Sequence, residues 1–143
     1  GAELLSQTLA RLDEIEPRPQ RDEDATLAPM LRREDGLIDW TLDAADIERR
    51  VRGFQPWPNA HTLYGDRRLV VWRASPATLE ANDENLSLKQ HGEVVEARGD
   101  SLAVACGDRT ALRIQELQLE GKQRVSARDF INGTRLRAGE RFG

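Results

Sequence analysis

Between His61 and Gln118 the apolar runs are short, and a Gly, Asn or Asp repeatedly interrupts them. Turn pairs stand at Gly65-Asp66, Gly99-Asp100 and Gly107-Asp108. Short runs rich in Val, Leu and Ile between such punctuators are the pattern of antiparallel strands. The spacing predicts strands over 60–64, 68–74, 92–97, 101–106 and 111–118, and five strands predict a small barrel. Between the second and third lies 75–89, where Pro76, Asn82, Asp83 and Asn85 predict a solvent loop with no chemistry.

The chain before this region reads differently. Leu4, Leu5, Leu9, Leu12 and Ile15 recur near helical spacing until Pro17, which predicts an amphipathic helix over 2–15 whose stripe needs a partner. Pro17, Pro19 and their charged neighbours cannot supply that partner, so 17–35 is expected to be an extended linker ending in a Glu34-Asp35-Gly36 turn. Thr41 or Asp43 can cap a helix carrying Ala44, Ile47 and Val51 on one face, with Gly53 as its stop. Pro56 and Pro58 then fix a rigid turn expected to seat Phe54 and Trp57 in the core. Ser126-Ala127-Arg128-Asp129 resembles a capping box opening a final helix, which Gly133 is placed to end.

With 143 residues, one core is the expectation. Trp40, Tyr64, Trp72, Val94, Val95, Val104, Leu112, Ile114, Leu117, Leu119 and Phe130 are its other candidates. The lone Cys106 excludes an internal disulfide framework and favours a reducing compartment, and it reads as a buried small hydrophobe. No apolar run is long enough to span a bilayer and no signal peptide is evident, so the expected setting is cytoplasmic, away from membranes. A start at Gly1 fits a processed or excised piece.

His61 and His91 lack a serine or second cysteine at nucleophile-like spacing and read as turn or surface histidines. Phosphate-loop and metal-ligand spacings are absent. Asp39 reads as a buried carboxylate satisfied by backbone amides. Trp40, Trp57 and Trp72 have faces that can stack on bases, but their apolar settings read as core.

Charge is the better guide. The net charge of −4 argues against a uniformly basic polyanion binder. Its distribution is uneven: residues 74–120 hold four basic and nine acidic side chains, whereas 121–143 hold six and two. Arg49 and Arg52 share a helix face, Lys122 and Arg124 follow the last long strand, and Arg128 opens the final helix; Arg135, Arg137 and Arg141 lie beyond. Such cations can neutralise phosphates without reading sequence. The alternative is that several pair with Asp46, Glu48, Asp129 or Glu140.

The order of motifs along the whole chain resembles the C-terminal region of methionyl-tRNA formyltransferases. Gly1, Ala2, Leu4, Leu5, Thr8 and Leu9 match the last helix of that family's catalytic domain, and Pro19-Gln20, Ala25-Thr26 and Ala28-Pro29 match its linker. Glu34-Asp35-Gly36, Ile38-Asp39-Trp40 and Arg52-Gly53-Phe54-Gln55-Pro56-Trp57-Pro58 follow, then Gly121-Lys122 and Asp129-Phe130-Ile131-Asn132-Gly133. Leu27 and Met30 depart from the usual Tyr and Lys of the linker, where Arg32 and Arg33 can restore charge, and His91 stands for a usual Pro.

The resemblance implies a mainly β domain with short helices, an OB-like antiparallel β-barrel preceded by a helix and an extended linker. It divides the chain into a terminal helix of a catalytic domain (1–16), linker (17–35) and OB-like domain (36–143). The implied full enzyme is a monomer that transfers a formyl group from 10-formyltetrahydrofolate to initiator methionyl-tRNA. Its catalytic Asn, His and Asp lie in the preceding N-terminal catalytic domain, so this piece is expected to hold no catalytic, cofactor or metal site and to be inactive alone. The residues expected to meet tRNA are Arg32, Arg33, Arg49, Arg52, Lys122, Arg124 and Arg128. Two other readings stay open: a structural barrel of a sugar-nucleotide formyltransferase, and a scaffold with no ligand.

Overall fold

A computed structural model describes residues 1–77 and 89–143. They group into two compact units, 1–30 and 31–143. In the first, helix α1 covers Ala2–Ala10 and single helical turns occupy Leu12–Glu14 and Asp22–Asp24. The helix is shorter than its apolar pattern predicts. None of its residues is buried, and without packing a helix of this length is marginal; after Arg11 the backbone tightens into a turn held by an Arg11–Glu14 ion pair of 3.1 Å. The segment between the two turns is extended, as the prolines require.

The second unit opens with a helical turn, Arg33–Gly36, in which the Arg32 N–H donates to the Asp35 carboxylate at 2.6 Å. Gly36 is buried at a place where a Cβ would stand 2.4 Å from the Asn59 carbonyl oxygen. That contact lets the Ile38 N–H reach the His61 carbonyl at 2.8 Å. Trp40 is buried, and its indole N–H donates to Thr62 Oγ1 at 3.2 Å. Asp39 instead faces solvent and accepts from the Thr41 hydroxyl and N–H at 2.6 and 3.0 Å, which holds its carboxyl below the usual range. The expected burial of Asp39 is therefore corrected: in this extended run Ile38 and Trp40 take the inward positions.

Helix α2, Ala44–Gly53, begins where Asp43 accepts from the Asp46 N–H at 2.7 Å, and Ala44, Ile47 and Val51 are its buried face. It packs on the strands β2 (Arg67–Ala77) and β5 (Ala111–Leu119). Both bonds Gln55-Pro56 and Trp57-Pro58 are cis. Trp57 is 55% exposed, against the expectation that it enters the core. Pro58 and Ala60 are the residues that turn inward, which leaves Trp57 between the cis bonds facing out.

The sheet runs β1-β2-β5-β4-β3, with β1 at His61–Tyr64, β3 at Val94–Arg98 and β4 at Ser101–Ala105, all neighbours antiparallel. A short β6, Val125–Ser126, pairs with Glu116 and Leu117 of β5. Strand β2 outruns its predicted end: Ser75, Pro76 and Ala77 pair with Arg113, Leu112 and Ala111. The rest of the expected solvent loop, 78–88, lies outside the described residues.

The expected closed barrel is not formed; the sheet is open, with β1 and β3 at its edges. Both edge strands are short, and the chain's last residues occupy the space between them. Val94 N–H donates to the Glu140 carbonyl (2.8 Å) and Phe142 N–H to that of Gly92 (2.9 Å), while Gly143 N–H reaches Leu63 on β1 (3.1 Å). Phe142 is fully buried, 6.5 Å from the Trp40 ring and edge-on to Tyr64 at 5.8 Å. Together with Leu69, Val71, Leu102, Leu112, Ile114 and Leu117 it forms the centre of the core.

Helix α3, Ala127–Thr134, starts as the sequence predicts. Asp129 N–H donates to Ser126 Oγ at 3.2 Å, and that hydroxyl lies 2.8 Å from the Asp129 carboxylate. It ends one residue beyond Gly133, with Arg135 in the left-handed region at φ 57°. Thr134 bonds back to the Phe130 carbonyl at 2.7 Å and Leu136 is buried, so the anchoring of the following segment sets the stop.

Candidate nucleic-acid interface

The β5–β6 turn presents the basic residues that the sequence singles out most strongly. Gly121 adopts φ 72°, and the Lys122 N–H closes the turn on the Leu119 carbonyl at 2.9 Å. A side-chain relay braces it: Trp72 Nε1 donates to Gln118 Oε1 at 3.0 Å, and Gln118 Nε2 donates to the Lys122 carbonyl at 2.8 Å. Arg124 lies over the Trp72 ring, its guanidinium carbon 5.1 Å from the centroid, and pairs with Glu116. Trp72 is half-buried, so its surface role is to carry this cation.

A second group sits at the start of β1. Arg68 donates to the Pro58 carbonyl at 3.0 Å and lies 3.2 Å from His61 Nδ1, and Arg33 is near enough for its charge to act on the same ring. The two groups are joined through the β1–β2 hairpin. Arg67 lines one groove with Lys122, and the Arg68 backbone bonds to Glu120 beside the glycine turn. The result is a belt from Arg32 and Arg33 through Arg68 and Arg67 to Lys122 and Arg124.

Other expected contacts stand apart from this belt. Arg49 pairs with Asp46 and Arg52 with Glu48 (2.6 Å) along α2, as the alternative reading of these charges anticipates. Arg128 pairs with Asp100 at 2.7 Å. Among the described residues, Arg32, Arg33, Arg67 and Lys122 form no ion pair. Sequence reasoning missed Arg67, Arg68 and the supporting part of Trp72. The available signal was strand alternation: with Leu69 and Val71 inward, Arg68 and Trp72 must face out, and the basic pair directly follows the Gly65-Asp66 turn.

Burial, followed by the charges of Arg68 and Arg33, lowers the His61 pKa from 6.5, while the Asn59 carbonyl opposes the shift. The unfolded chain thus holds this proton at pH values where the folded chain has released it, so the neutral ring's contribution is present near neutrality and declines as pH falls below 6.5. We expect the His61 ring signals to titrate below pH 6.5 by NMR, and an Arg68→Gln variant to titrate higher than the parent; a midpoint at or above 6.5 in the parent contradicts this geometry. Cys106 is buried, its thiol pushed up to about 12, and is no nucleophile at neutral pH.

Fold and belt together define a small antiparallel β domain with three short helices and cations gathered along one edge. The profile of the formyl transferase C-terminal domain matches residues 30–135. The chain belongs to that family. It is 43% identical over its full length to the methionyl-tRNA formyltransferase of Citrifermentans bemidjiense and 38% identical to that of Bacillus licheniformis, spanning 43% and 44% of those proteins. The chain thus spans less than half the length of these curated relatives. Among solved structures, HypX from Aquifex aeolicus in complex with tetrahydrofolic acid is similar in fold, with a TM-score of 0.60 at 18% identity over 90% of this chain and 22% of that one. A multiply substituted HypX variant gives 0.64 at 17% identity, covering 96% of this chain and 24% of that one.

Proposed function

We propose that the chain is the tRNA-holding C-terminal region of a cytoplasmic, monomeric methionyl-tRNA formyltransferase. Residues 1–16 are then the last helix of its catalytic domain, 17–35 the linker and 36–143 the holding domain. The observation that carries this reading is the belt of cations along one edge of a chain whose overall charge is negative. A localised belt positions a polyanion in one orientation, whereas a uniformly basic surface would bind it in many.

Phosphate contacts by Arg32, Arg33, Arg67 and Lys122 fix register without reading bases. Arg124 joins them from its seat on Trp72. Holding the acceptor arm this way brings the amino group of initiator methionyl-tRNA to the reacting centre and removes the entropic cost of finding it. The formyl donor, 10-formyltetrahydrofolate, supplies the activated one-carbon unit. The residues present do not fit that donor: the largest described groove is open, and its buried lining residues, Leu119 and Phe130, are apolar and offer nothing to read a pterin ring. The donor therefore belongs with the catalytic Asn, His and Asp of the preceding domain, and the chain alone has no transferase activity. In this role an open curved sheet replaces the OB-like barrel.

Titration of the 143-residue chain with initiator tRNA tests the reading. With about four phosphates neutralised, affinity should fall roughly a hundredfold between 50 and 200 mM salt. Absence of binding at low salt, or binding indifferent to salt, rejects it.

A further inference from the structure

Arg67 and Lys122 stand at the lip of a groove of about 440 Å³ beneath α3, floored by Leu119, Val125 and Phe130. Arg67 comes from the β1–β2 hairpin and Lys122 from the glycine turn, so the sheet brings two cations from distant sequence positions to one opening. Neither forms an ion pair among the described residues, whereas Arg49, Arg52, Arg73, Arg124 and Arg128 each do. The groove's one carboxylate, Asp129, lies 2.8 Å from the Ser126 hydroxyl at the start of α3. A groove with an apolar floor and two uncompensated cations at its mouth suits a ligand that is anionic at one end and flat and weakly polar at the other. A nucleotide has that division.

We propose that this groove seats one unstacked nucleotide of RNA. Arg67 and Lys122 hold its phosphate at the lip, and the base and sugar lie against Leu119, Val125 and Phe130. The proposal rests on the RNA-holding reading and deepens it: a belt alone engages any backbone, while a seat requires a nucleotide free of a double helix. Single-stranded RNA therefore binds here better than a duplex of equal charge, because a paired base cannot leave its stack without cost.

Gly133 makes the test clean. It lines the groove from α3, and a Cβ added to it meets nothing within 4 Å. Gly133→Leu therefore fills the groove while keeping every charge, and it replaces a poor helix former with a good one. The probe is a fluorescent single-stranded oligoribonucleotide, compared with a blunt RNA duplex carrying the same number of phosphates, on the 143-residue chain. Gly133→Leu should weaken the single strand about tenfold, with an unchanged salt slope and unchanged duplex binding. Arg67→Ala with Lys122→Ala should weaken both probes and flatten the slope. Both cations are exposed, so this second variant reports even if the first is impaired in folding.

Wild-type single-strand affinity in a folded Gly133→Leu protein overturns the seat and leaves the RNA-holding reading standing. Equal weakening of both probes by Gly133→Leu also overturns it. Failure of the parent chain to bind either RNA at low salt overturns the holding reading itself.

Discussion

Replacing Phe142 with alanine is expected to lower the unfolding free energy by about 3–5 kcal/mol, the range for deleting a buried aromatic ring. Phe142 is fully buried between Trp40 and Tyr64, and its own N–H bonds to Gly92. The cavity has little means of collapsing. Gly92 lies against the Phe142 backbone so closely that a Cβ there would sit 2.4 Å from its carbonyl oxygen, and Trp40 is tied to Thr62. Domains of this size carry about 5–15 kcal/mol in total, so a large part of the stability is at stake. Urea denaturation followed by tryptophan fluorescence gives the value; Arg141→Ala, an exposed neighbour, should change it by less than about 0.5 kcal/mol. A loss below about 1 kcal/mol for the Phe142 variant would mean that the last residues do not close the core.

The second large effect concerns the belt. Changing Arg32, Arg33, Arg67 and Lys122 together to glutamate is expected to reduce tRNA affinity at 50 mM salt by at least about a hundredfold, because attractive phosphate contacts become repulsive ones. The contrast set is Arg49 and Arg52. Each is already paired on α2, with Asp46 and Glu48, and their reversal should cost only about threefold or less. Filter binding across a salt series measures both. Equal losses in the two sets would show that net charge alone drives association and that the belt has no special place in it.

How much of this was legible in the sequence depends on the range of the interactions involved. Helix α2 could be read because Asp43, Ala44, Ile47 and Val51 carry cap and stripe within one short stretch. The start of α3 was legible for the same reason, with Ser126 and Asp129 three residues apart. The strands followed from turn residues between apolar runs. What failed was whatever a distant partner decides. Phe142 sits in a basic, glycine-containing ending that looks like a solvated tail, and only the gap between β1 and β3 makes it a core residue. Trp57 looked like core because it is large and apolar, yet its outward direction comes from the burial of Pro58 and Ala60.

The belt divides along the same line. Lys122 and Arg124 stood out through local motif and charge, and Arg32 and Arg33 through the linker. Arg67 gained meaning only when the hairpin brought it beside Lys122. Conversely, Arg49, Arg52 and Arg128 satisfied every local criterion for a phosphate contact, and their nearby carboxylates claimed them first.

The glycine turn at 119–122 leaves one more consequence. Its lysine backbone is tied through Gln118 to the same indole that carries Arg124, so the two cations share one mechanical support. A load placed on either is transmitted to β2, the strand on which α2 packs. An RNA pulling at this turn therefore strains the middle of the sheet and not a loose fringe, and the grip is as stiff as the fold behind it.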